Sequence, residues 1–126
     1  MQLVRDEPSG VGSEPMFSGD VWYTYHSGEG PVSCAKVHFS PGARTAWHTH
    51  PDGQVLYVLE GVVRVMERDG STVDARAGES VVCPAGLEHW HGAAPGYFAT
   101  HLAVHTGPVG WAEPVPDEVY LGEAVP

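Results

Sequence analysis

Apolar residues in this chain fall into short alternating runs, each cut off by glycine, proline or an acidic pair. Residues 32–39 set the pattern: Ala35, Val37 and Phe39 share one face while Cys34, Lys36 and His38 share the other, the period of two expected of a half-buried strand. The same reading predicts strands over 21–26, 45–50, 55–59, 62–67, 72–76, 79–83, 88–92 and 98–105. Pro41-Gly42, Pro51-Asp52-Gly53 and Pro84-Ala85-Gly86 supply breaks, Gly61 ends the 55–59 run, and Asp69-Gly70 is a two-residue hairpin signal. Strands this short and this evenly spaced predict an all-β sandwich or barrel, and closure into a barrel would remove the exposed edges that invite aggregation. Residues 1–18 show neither period and read as an N-terminal arm; residues 107–126, with Gly107-Pro108 and further prolines, read as an extended C-terminal tail.

Composition agrees with one core. A chain of 126 residues suits a single domain, here 1–126, because two cores of half that size would each be marginal. The 16 glycines and 11 prolines favour short strands over long helices. A net charge of -10 would repel both a phosphate backbone and an anionic membrane surface, so neither nucleic acid nor membrane is expected as a partner. No apolar run approaches the roughly 18 residues needed to span a bilayer, and a basic-then-apolar leader is missing from the N-terminus, which leads to the expectation of a cytoplasmic protein. Cys34 and Cys83 lie inside strand-like runs without C-x-x-C spacing, as buried reduced thiols would.

Chemistry enters with the histidines. The chain has 8, and His48/His50, His89/His91 and His101/His105 each fall on one face of a predicted strand. Imidazoles at i and i+2 can converge on one ion, while any single pair of this kind also suits a solvated face or a hydrogen-bonded core. Gln54 follows His50 across a glycine-containing turn that could bring its amide oxygen toward the same point. Three nitrogens and an oxygen suit a divalent metal with one or two exchangeable positions.

At this point two segments resemble the paired motifs of the cupin family. Gly42, five residues, His48, one, His50, three, Gln54, six, Gly61 matches the first motif; Gly78, five, Pro84, one, Gly86, two, His89 matches the second. The resemblance spans about residues 20–106 and implies a small double-stranded β-helix (cupin, jelly-roll) barrel, usually dimeric, with one divalent metal held by His48, His50, Gln54 and His89. Gln54 stands where many cupins have a glutamate, and Ala93 where the second motif often ends in asparagine. A neutral amide leaves the ion's charge uncompensated, which should make it the stronger Lewis acid. The strings R-T-A-W-H-T-H-P, H-W-H-G-A and T-H-L-A-V resemble a bacterial subgroup of small manganese or iron cupins, some of them hydroxynitrile lyases and others associated with carboxymuconolactone decarboxylase domains. That resemblance puts manganese or iron first as the ion, ahead of zinc, nickel, cobalt or copper.

The function expected is therefore a metal-dependent lyase acting on a small carbonyl compound or cyanohydrin, with His101 as base or as the partner that orients a ligand histidine, and His91 in the same two roles. Ala35 and Val37, small and inward-facing, would leave room for substrate or simply pack the core; His105 and Tyr57 complete the expected pocket, and Trp47, Trp90 and Phe98 are compatible with an aromatic substrate. An Fe(II)/O₂ dioxygenase, a polyketide cyclase-like cupin and a non-catalytic small-molecule barrel remain as alternatives. A homodimer is expected on the ground that the proline-marked ends would lie across a partner.

Overall fold

The computed structural model describes residues 1–123; the last three residues of the tail, 124–126, lie outside them. In chain order the strands are β1 (Gly10–Val11), β2 (Phe17–Ser18), β3 (Val21–Tyr25), β4 (Val32–Phe39), β5 (Arg44–Thr45), β6 (His48–Thr49), β7 (Gln54–Glu67), β8 (Thr72–Arg76), β9 (Ser80–Cys83), β10 (His89–Ala93), β11 (Ala99–Thr106) and β12 (Gly110–Trp111), followed by one short helix, α1 (Asp117–Tyr120). Each ladder is antiparallel, and the strands curl into a barrel through the order β1-β3-β4-β11-β7-β10-β5-β2. Among the described residues no helix is long and apolar enough to cross a membrane.

The hinge of the architecture is β7. Its first half pairs with β11 and β9, and its second half with β10 and β8, so one 14-residue strand belongs to both walls. Gly61 does not end a strand there, as its sequence context suggests, but bends one. It sits at φ 71°, and a Cβ at that position would lie 1.9 Å from the carbonyl oxygen of Phe98, so only a residue without a side chain can pass. Beside it the β11–β7 register slips between Thr100 and His101, a bulge that increases local twist.

Alternation along these strands fills the barrel. Val37, Phe39, Leu56, Val58, Val63, Val65, Ala99 and Ala103 point inward and form one buried cluster. Outward on β7 the alternate residues Val55 and Tyr57 are each 41% exposed, which removes Tyr57 from the substrate pocket expected of it.

Both chain ends differ from the expected loose arm and tail. β1 pairs with β3, β2 with β5 and β12 with β6, so the ends extend the barrel walls. Val115, Val119 and Tyr120 then pack on Trp47, Met66 and Trp90 as a second buried cluster outside the barrel wall. Arg44 fastens this tail: its Nε donates to the carbonyl of Val115 at 3.1 Å and its guanidinium lies 4.7 Å from the centre of the Tyr120 ring. Trp47 and Trp90 are therefore core residues of that cluster, and Phe98 is 53% exposed; none of the three lines the histidine-bearing cavity of the barrel.

Candidate metal centre and active site

The segment 45–50 reads as one strand but folds as two bridges, β5 and β6, with a step between them at Ala46 and Trp47. The step turns His48 and His50 into the barrel, where β10 brings His89 directly opposite His48. The ligand atoms of His48, His50 and His89 all lie within 4.8 Å of one another, and all three side chains are buried. Nδ1 of His48 donates to the carbonyl of Ala46 at 2.9 Å, and Nδ1 of His89 to that of Leu87 at 3.0 Å. In a neutral imidazole those bonds fix the tautomer and leave Nε2 as a lone pair. Both nitrogens of His50 are buried without a hydrogen-bond partner among the described residues. Oε1 of Gln54 faces Nε2 of His89 at 3.1 Å, two acceptors brought together as they would be around a shared cation.

That donor set fits a divalent ion. Buried unpaired nitrogens cost free energy unless something satisfies them, and three convergent imidazole lone pairs answer to a borderline metal coordinated at roughly 2.0–2.2 Å. The histidines also have to be neutral to coordinate, and burial secures this. It drives His48 down to about 3 and His50 to about 4, with neighbouring imidazoles pushing the same way, and it lowers His89 as well.

Behind this group lies a second pair. Nε2 of His101 and Nδ1 of His91 are 2.9 Å apart, one donating to the other, and both rings are buried. Burial lowers His101 to about 4 and His91 well below the ordinary imidazole value. His91 lines the cavity, whereas His101 stands behind it against Phe39, ring centres 5.2 Å apart. The cavity-facing imidazole is thus His91, and His101 reaches the cavity only through it.

The cavity measures about 330 Å³ and has His48, His50, Gln54, His91 and His105 on its polar side. Ala35 and Val37 line it, and His105 lies 4.4 Å from the His50 ring, centre to centre. Tyr57 does not line it, being on the outer face. Sequence reasoning missed Phe17, Tyr23, Tyr25 and Trp111, all of them cavity residues. For the tyrosines a signal existed: Tyr23 opposes Val37 and Tyr25 opposes Ala35, so the same period of two puts all four on one face. Phe17 and Trp111 lie in the segments taken as arm and tail, where no period marks them.

These buried imidazoles make stability depend on acid. In the unfolded chain they titrate near 6.5, whereas in the fold His48 and His101 stay neutral down to about 3 and 4. As pH falls below 6.5 the unfolded chain gains protons that the fold refuses, so stability present above that value is progressively lost toward pH 4. Each fully buried histidine contributes a loss of up to about 1.4 kcal/mol per pH unit in that window. Chelator-treated protein should accordingly show a urea midpoint that is flat above pH 7 and drops between pH 6.5 and 4. A midpoint unchanged from pH 7.5 to 5 would contradict the assignment.

A curled antiparallel barrel with three inward histidines on its motif strands defines a class, and the family comparison agrees: residues 35–102 match the cupin domain. The chain belongs to the cupin family. Among curated proteins it is 40% identical over 127 residues to the (R)-mandelonitrile lyase of Granulicella tundricola, covering 95% of this chain and 97% of that one. Among solved structures it is similar to a cupin-like protein from Thermotoga maritima, at 35% identity and TM-score 0.85 over 90% of this chain and 92% of that one. The polyketide cyclase of Streptomyces resistomycificus shares the fold, at 22% identity and TM-score 0.66 over 95% and 90% of the two chains.

Proposed function

We propose that this cupin is a metal-dependent lyase that cleaves or forms a cyanohydrin of a small carbonyl compound, with manganese or iron as its ion. The observation that carries the reading is the convergence of His48, His50 and His89, the first two of them lining a cavity open to one side, in a chain similar almost end to end to a mandelonitrile lyase. Those three histidines would hold the ion, with Gln54 as a fourth donor. When bound, it supplies a Lewis acid that polarises a substrate oxygen.

The remaining work belongs to the chain's own residues. His91, neutral and facing the cavity, accepts the proton of the cyanohydrin hydroxyl. As the carbonyl forms, the bond to the nitrile carbon breaks, its electron pair leaves with cyanide, and the proton returned by His91 makes hydrogen cyanide. On this mechanism Nδ1–H of His91 donates to Nε2 of His101, which leaves Nε2 of His91 with the lone pair that accepts the proton. Ala35 and Val37 keep the neighbouring wall low enough to admit the substrate. The test is elemental analysis of purified protein, followed by mandelonitrile cleavage with and without oxygen. Near-stoichiometric metal and equal cleavage under both atmospheres are expected; turnover that needs oxygen would replace this reading with a dioxygenase.

On this reading His101 is a positioning residue. His101→Ala should lower kcat by about a hundredfold while KM and metal content change little, since proton transfer by one side chain contributes 10²–10⁴-fold. His101→Gln, whose amide oxygen can accept the Nδ1–H of His91, should recover part of the loss. Full activity in His101→Ala would take the residue out of the mechanism, and loss of metal would make it a support of the ligand set.

A homodimer is part of the same proposal, on different grounds from the chain ends, which pair with their own barrel. Val82, Val55, Val104 and Cys34 align in register across β9, β7, β11 and β4 on the outer face, with Val82 70% exposed. An aliphatic row of this kind suits a second copy. Light scattering at micromolar concentration should give twice the monomer mass, and a monomer would refute it.

A further inference from the structure

We infer that Phe17 and Trp111, one from each end of the chain, form with Tyr23 an aryl-binding subsite that makes this cavity select aromatic over aliphatic carbonyl compounds; the inference rests on the carbonyl and cyanohydrin reading above.

Trp111 is the anomaly that starts the argument. It belongs to neither buried cluster and is 40% exposed, yet its backbone is held firmly. β12 places it directly across from His48, and the flanking Ala112 N–H donates to the carbonyl of Trp47 at 2.8 Å while the Trp47 N–H donates to that of Glu113 at 3.0 Å. A large indole held in place without serving a core is free to present its surface to a ligand. Its ring lies 5.0 Å from that of His48 and 6.0 Å from that of Phe17, both tilted. Phe17 in turn is held by β2, which pairs it with Thr45. The two ends of the chain thus build a run of rings, Phe17, Trp111 and His48, leading along one wall to the histidine cluster.

The other wall carries Tyr23 on β3, opposite Val37. Aromatic pairs attract beyond their buried area at ring separations of about 4.5–7 Å, so a flat ring entering between these walls gains from each aromatic face it meets. Space permits it, since a cavity of roughly 150 Å³ already accepts benzene and this one measures about 330 Å³. Room is left for a carbonyl group to reach Gln54 and the histidines. An aliphatic group of similar size gains the apolar burial but not the ring contacts.

The experiment compares benzaldehyde with cyclohexanecarbaldehyde, an aliphatic aldehyde of the same carbon count, by calorimetric titration of metal-loaded protein, alongside cleavage of their cyanohydrins. Wild-type protein should prefer benzaldehyde by about tenfold or more, the size of one or two aromatic contacts. Trp111→Ala and Phe17→Ala should each remove most of that preference with metal content unchanged, while Trp22→Ala, on the outer face, should keep it. Should either chain-end variant misfold, Trp111→Leu, which keeps apolar volume but not the ring, gives the same reading. A preference that survives in Trp111→Leu and Phe17→Ala, or equal affinity in the wild type, overturns the subsite while cleavage still upholds the lyase. Aryl preference that depends on Trp111 without any cyanohydrin cleavage upholds the subsite and overturns the lyase, and failure of both aldehydes to bind overturns both.

Discussion

Alanine at His48, His50 or His89 is expected to leave purified protein with less than about a tenth of the wild-type metal. Each of the three contributes one nitrogen to a group whose ligand atoms lie within 4.8 Å of one another. Losing one of three fixed donors costs at least as much as the 10–100-fold in affinity that loss of a mere supporting residue costs. Gln54→Ala should retain more, because a neutral amide oxygen is the poorest donor of the four and water can replace it. The measurement is metal content after dialysis, with circular dichroism to show that each variant keeps its strands. Near-stoichiometric metal in all three histidine variants would sink the centre, and equal loss in all four would sink the ranking of Gln54.

The histidine centre was legible because its information is local. His48 and His50 lie two residues apart, Gln54 follows over a turn, and the second motif carries His89, so the resemblance to the paired cupin motifs implies the set before any pairing is known. What the spacing could not convey is how the set is oriented. The break between β5 and β6, the carbonyls of Ala46 and Leu87, and the pairing of His89 with His48 depend on partners far along the chain. The same limit applies to His101 and His91, to which the sequence assigns the same two roles. Strand period puts both inward, but only the bulge at Thr100 and His101 and the position of Phe39 decide which one meets the cavity.

Segments without period were where reading failed. Residues 1–18 and 107–126 carry too few alternating positions to register as strands, since β1, β2 and β12 are two residues each. Their order comes from tertiary contacts: ladder bonds to β3, β5 and β6, and Arg44 reaching across to Val115. Such contacts override local propensity, which for these stretches favours turns. The aromatic wall of the cavity was missed for that reason. Tyr57, by contrast, was misplaced by one residue of phase, because Gln54 begins β7 inward and Tyr57, three residues on, must face out.

Gly61→Ala should be among the most destabilising single substitutions in the barrel, by about 3 kcal/mol or more. Two costs combine at that position. At φ 71° an alanine takes a left-handed conformation that costs L-residues roughly 1–2 kcal/mol. Its Cβ would also meet the Phe98 carbonyl oxygen at 1.9 Å and the Phe98 carbonyl carbon at 2.8 Å. Those are backbone atoms of the residue just before β11 and cannot swing aside as a side-chain tip would, so overpacking adds another 1–3 kcal/mol or so. Gly70 separates the two costs, for it has φ 89° and nothing within 4 Å of where a methyl would sit, so Gly70→Ala should lose only the conformational part. Urea unfolding of both variants at pH 7.5, where the buried histidines are neutral in either state, measures the difference. If Gly61→Ala falls no further than Gly70→Ala, the tight approach of β7 to Phe98 is not what holds the bend, and the placement of Gln54 and Glu67 on opposite walls needs another cause.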